Sequence, residues 1–134
     1  LGSLGGSGSL SEAFGINDAG QVVGNSSTAE GSLHAFITGP DGVGMRDLGT
    51  LLGGNGSQAN DINDIGQVVG YSYTAEGYYH AFITGPDGEG MTDLNSLVDL
   101  PQGMVLVKAM DINNRGQVIA IAIPTTIPNL KPMP

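Results

Sequence analysis

Four tyrosines, two histidines and three copies of one asparagine-led turn are the side chains in this sequence with chemistry to offer. All four tyrosines fall in one stretch, as Tyr71, Tyr73, Tyr78 and Tyr79. Tyr71 and Tyr73 are two apart, so on a strand they share one face. Tyrosines beside Asn, Ser and Glu can form a platform for a sugar, another polar ligand or a protein surface. The same rings can instead pair across strands and stiffen a hairpin. A sister segment carries Asn25, Ser27, Ser32 and Leu33 at these places. That exchange predicts solvent-facing positions.

His34 and His80 are the only side chains that ordinarily titrate near neutral pH. They occupy the same place in sister segments, so they do not build one site. Two histidines alone are too few for zinc, and no nucleophile stands at a recognisable spacing. Each is expected to pack beside its phenylalanine and bond to a neighbouring backbone group, pinning one unit to the next. The turns Asn17-Asp18-Ala19-Gly20, Asn63-Asp64-Ile65-Gly66 and Asn113-Asn114-Arg115-Gly116 carry oxygen ligands of the calcium type. Calcium recruits six to eight oxygens, whereas each turn offers one or two, and Arg115 brings a cation. Hairpin chemistry is therefore expected, with no metal and no cofactor. There is no cysteine, which excludes disulfides, thiolate nucleophiles and Cys-bound metals.

These groups sit on a repeat. Shifting the sequence by 46 residues lays Ala13–Leu51 on Ala59–Leu97 with 28 identities in 39 positions. A third copy starts at Ala109, offset by 50, and stops halfway. The opening LGSLGGSGS resembles the LGTLLGGNGS that begins at Leu48. The organisation expected is 1–11 as the tail of a preceding repeat, 12–57 as repeat 1 and 58–107 as repeat 2 with a longer linker. Residues 108–123 are then half of repeat 3, and 124–134 a proline-rich tail.

Each unit divides into four short strands, near Glu12–Asn17, Gln21–Ser26, His34–Thr38 and Met45–Leu48 in the first copy. Leu1–Gly8 should supply a lone fourth strand. The Asn-led turn and Gly-Pro-Asp-Gly close hairpins, the former through a glycine with positive φ. The fold expected is all-β, built of tandem four-stranded antiparallel repeats resembling β-propeller blades, a partial propeller in this chain. Ala13, Ile16, Val22, Phe36, Ile37 and Leu48, with their copies, are the candidate core. With three Phe and no Trp each unit has a thin core and must share it with its neighbours.

The ordered strings Ile16-Asn17-Asp18, Gly20-Gln21-Val22-Val23-Gly24, His34-Ala35-Phe36 and Asp47-Leu48 resemble the HAF family of bacterial extracellular repeats. The resemblance runs from Leu1 to about Ala120. It implies a secreted or surface-attached bacterial protein with many tandem units, and no catalytic residues.

Composition bounds the partners. Four basic against thirteen acidic residues give a net charge of −9 over 134 residues, which argues against nucleic acid and anionic membrane surfaces. No apolar run is long enough to cross a membrane as a helix. The charged departures from the repeat, Arg46, Glu89, Asp99, Lys108 and Arg115, form no acid/base pair. A non-catalytic structural, adhesive or self-assembling module is expected. The alternative is a carbohydrate-binding propeller using Tyr71, Tyr73, Tyr78 and Tyr79. Fewer than four units cannot close a ring, so either further repeats of a longer chain or identical chains are expected to complete it.

Overall fold

The computed structural model describes residues 2–5 and 9–125. Ten strands form three antiparallel sheets, and the described residues contain no α-helix. The first sheet runs β1 (Ser11–Ile16), β2 (Val22–Ser27), β3 (Leu33–Ile37) and β4 (Arg46–Gly49). The second runs β5 (Ser57–Ile62), β6 (Val68–Tyr73), β7 (Tyr79–Ile83) and β8 (Thr92–Asp93). The third pairs β9 (Met104–Ile112) with β10 (Val118–Pro124). Strands follow one another in sequence order across both four-stranded sheets. Their registers match: Ala13 faces Gly24, Ala59 faces Gly70, and a bulge follows at Phe14 and at Asn60.

Turn chemistry explains the hairpins. Gly20, Gly66 and Gly116 take φ of 80°, 88° and 76°, a region that residues with a Cβ avoid. In Gly-Pro-Asp-Gly the aspartate turns left-handed as well as the glycine after it, at φ 58° for Asp41 and 57° for Asp87. Aspartate tolerates it. The Asp41 amide donates to the Ala19 carbonyl at 3.0 Å and the Asp87 amide to Ile65 at 3.1 Å, so the two turns of each sheet lock together.

Three boundaries differ from expectation. Residues 2–5 form no strand, and Leu1 and 6–8 lie outside the described residues. A fourth strand needs a third beside it, and no described strand pairs with these residues. Instead Leu4 donates its amide to Ser26 Oγ at 2.8 Å, as Leu51 does to Ser72 Oγ. β9 starts at Met104, within the segment read as linker. Of the proline-rich tail, Pro124 ends β10 and 126–134 lie outside the described residues.

The sheets pack face to face in series. Val23, Ala35, Ile37 and Leu51 meet Ala59, Ile62, Val68 and Phe82 at the first interface. Val69, Ala81 and Leu94 meet Leu106, Ala109 and Ile112 at the second. Strand alternation therefore gives the second sheet one face toward the first and one toward the third. Two residues expected in the core depart from it: Ala13 and Ile16 are exposed. Ile16 is 66% exposed, while its counterparts Ile62 and Ile112 are at 4% and 7%. The reason is position, since no sheet among the described residues covers the backward face of the first.

Candidate functional site

The tyrosine stretch straddles the β6–β7 hairpin, whose register sets Tyr73 opposite Tyr79. Their rings lie 4.6 Å apart at 41°, and the Tyr73 hydroxyl donates to the Tyr79 hydroxyl at 3.0 Å. Tyr71 meets Tyr79 edge-on at 4.9 Å and donates its hydroxyl to Gln58 Oε1 at 3.3 Å. Tyr78 does not join them. It is exposed, and its carbonyl accepts the Thr74 amide at 2.9 Å and the Thr74 hydroxyl at 3.2 Å. Three of the four predicted residues thus converge, and cross-strand pairing is part of what they do.

Sequence reasoning missed the fourth member of this cluster. The Lys108 ammonium, from β9, sits 4.9 Å from the Tyr71 ring centre and 5.2 Å from that of Tyr79, within cation–π range. Burial, then neighbouring Tyr79, raises the Tyr71 phenol above its ordinary value, and its hydrogen bond with Tyr79 raises Tyr73. An open cleft of about 420 Å³ adjoins the rings. It lies between the first and second sheets, with Asn25, Ser32, Asn55 and Gln58 on its walls and no charged side chain.

The sister positions correct one expectation. Asn25 is buried, because the second sheet covers it, and its Nδ2 donates to Gln58 Oε1 at 2.8 Å. Tyr71 is the counterpart of Asn25, and Lys108 of Gln58. One location between successive sheets thus carries an amide pair first and a tyrosine–lysine pair next. The signal was present: two departures from the repeat fall at facing positions.

The histidines also differ from expectation. His34 Nδ1 stands 2.9 Å from the Asp47 carboxylate, and His80 Nδ1 2.6 Å from Asp93. These partners are carboxylates on the adjacent strand of the same sheet, so each pair fastens the third strand to the fourth within one sheet. It does not pin one sheet to the next. Asp47 also accepts the Gly49 amide at 2.7 Å and Asp93 the Asn95 amide at 2.9 Å. The constant spacing of 13 residues in both copies was the legible clue.

Sheet-to-sheet fastening belongs to the Asn-led turns, which stack. Asn17 Nδ2 donates to the Asn63 carbonyl at 3.0 Å, and Asn63 Nδ2 to the Asn113 carbonyl at 3.1 Å. The Asp18 amide donates to Asp64 Oδ1 at 2.9 Å, and the Asp64 amide to Asn114 Oδ1 at 2.8 Å. Gln21 Nε2 reaches Asp87 Oδ1 at 2.8 Å. The Asp18 amide, then the Asn114 side chain, hold the Asp64 carboxyl below its ordinary value. Within each turn the asparagine Oδ1 accepts the amide of the glutamine four residues on. This is a ladder of hydrogen bonds along one side of the stack.

A carboxylate pair marks the second interface alone. Asp61 and Asp111 both accept the Ile112 amide, at 2.9 and 3.0 Å. Burial, then Asp111, raises the Asp61 carboxyl above its ordinary value. The corresponding residue of the first sheet is Gly15. A Cβ there would stand 3.1 Å from Asp61 Cα and 3.2 Å from Val23 Cγ2, so a side chain at that contact would be tightly confined.

Among the described residues, no three His, Asp or Glu side chains cluster as metal ligands do. Every buried side-chain nitrogen or oxygen there has a hydrogen-bond partner. Comparison with family models, curated proteins and solved structures returns no match.

Proposed function

We propose that this chain is a non-catalytic structural module, a run of propeller-blade-like repeats of the HAF type from a secreted bacterial protein. One observation carries the reading. The repeated polar residues, Asn and Gln of the turns, the aspartates beside them and the His–Asp pairs, engage one another between sheets or between strands. Acid/base machinery on a repeat scaffold would stand out as departures from the repeat gathered at one place, whereas these groups recur in each copy. Such a stack presents loops and end faces to other surfaces, which suits an adhesive or self-assembling role outside the cell.

The uncharged cleft beside Tyr71, Tyr73 and Tyr79 favours a second reading, in which the chain holds a neutral sugar. Aromatic rings next to amide and hydroxyl groups are the chemistry such ligands use. A glycan array on the intact chain separates the two. The structural reading predicts no retained glycan. Retention that is lost in Tyr71→Ala and Tyr73→Ala would replace it with the sugar-binding one.

A further inference from the structure

The two outer faces of the stack carry the same residues that meet at its inner interfaces. On the backward face of the first sheet, Ile16 is exposed where Ile62 and Ile112 are buried. On the forward face of the third sheet, Ile119 is 65% exposed where its counterparts Val23 and Val69 are at 0%. Ile121, the counterpart of Tyr71, is also exposed. Among the described residues, no sheet covers the backward face of the first or the forward face of the third.

The ladder is unfinished in the same sense. Among the described residues, Asn113 Nδ2 bonds only within its own turn, to Gln117 Oε1 at 2.9 Å. Its counterparts reach both that glutamine and the next sheet. At the other end, the Asn17 carbonyl accepts only the Gly20 amide among the described residues, whereas the Asn63 carbonyl accepts the Gly66 amide and Asn17 as well. The forward end therefore has a donor to spare and the backward end an acceptor.

The shapes agree too. Residues 2–5 lie on part of the first sheet's backward face, through the Leu4–Ser26 bond, and Phe36 is buried. The β1 part of that face stays open. The described third sheet contains the two strands equivalent to β1 and β2, which would face it.

From this we infer that a second copy of this chain docks head to tail, its first sheet against the third sheet, by continuing the inner interface. The inference rests on the repeat-module reading and names its partner and geometry. Asn113 Nδ2 then donates to the Asn17 carbonyl of the copy, the Asn114 amide to its Asp18 carboxylate, and Gln117 Nε2 to its Asp41. Ile16 of the copy sits where Ile62 and Ile112 sit inside the chain. Because the two faces differ, the contact is heterologous and propagates.

Sedimentation velocity on the intact chain over a wide concentration range tests this, with Ile16→Lys and Ile119→Lys as variants. Both positions are exposed, so folding is expected to survive, and thermal melting of each variant checks that. The wild-type chain is expected to sediment above its 13.6 kDa mass as concentration rises. Each variant alone should remain monomeric. Mixed one to one, they should form a pair and stop there, since one good backward face and one good forward face remain. A monomeric wild type, association that neither variant weakens, or a mixture that fails to pair would each overturn the inference. None of these touches the inner ladder, whose failure would instead appear as unchanged melting in Asn63→Ala.

Discussion

The first and second interfaces of the stack use the same backbone positions and different chemistry. Between the first and second sheets, Asn25 bonds Gln58, and Gly15 lies against Asp61 with no second carboxylate facing it. Between the second and third, Lys108 sits over Tyr71 and Tyr79, and Asp111 faces Asp61 across the shared Ile112 amide. The apolar part and the ladder are common to both. What holds the sheets together is therefore carried by the repeated residues, while the departures from the repeat adjust how each contact responds to pH and to substitution.

The largest effect should come from the apolar part. Phe82 is fully buried at the first interface, and Phe82→Ala is expected to cost about 3–5 kcal/mol in urea unfolding. A loss below about 1 kcal/mol would mean that the first contact closes without its apolar filling. The described third sheet has no counterpart of this ring, so the second interface should be the easier of the two to open.

A pH experiment separates the contacts next. The Asp61 carboxyl is raised above its ordinary value of 3.8, so its contribution is full below that pH and is lost as pH rises through the folded-state value. The Asp64 carboxyl is lowered, so its contribution is present above the ordinary value and is lost as pH falls through the folded-state one. Asp111→Asn keeps an acceptor for Ile112 and removes the facing charge. The variant should gain stability over wild type above pH 3.8. An identical pH profile for the two proteins would show that the carboxylates do not interact.

The smallest effect belongs to the tyrosine–lysine contact. Lys108→Gln removes a cation–π interaction expected to be worth about 0.5–1 kcal/mol. Adding Tyr71→Asn converts this location to the amide pair of the first interface and should recover part of that loss. Losses that simply add would show that the two positions act independently.

Most of the fold was legible because turn chemistry and alternation are local. Positive-φ glycines, Gly-Pro-Asp-Gly and apolar alternation place the ten strands to within a few residues. The exposure of Ile16 was not legible, since burial depends on which sheet lies opposite and not on the strand itself. The same limit misplaced Asn25, whose polar side chain looked like a surface residue until its Gln58 partner in the next sheet was seen. The histidine partner was within reach, since Asp47 and Asp93 recur at a fixed distance from His34 and His80. Three of the four tyrosines do cluster, but the lysine over them comes from a neighbouring sheet, and only facing departures from the repeat point to it.

The central claim is that the Asn-led turns join sheet to sheet. Asn63 and Asn113 make the same bonds within their own turns, yet only Asn63 reaches a following sheet. Comparing the unfolding of Asn63→Ala and Asn113→Ala at low protein concentration isolates that bond. The account predicts that Asn63→Ala loses more stability, by about 1 kcal/mol or above. Equal losses in the two variants would contradict it.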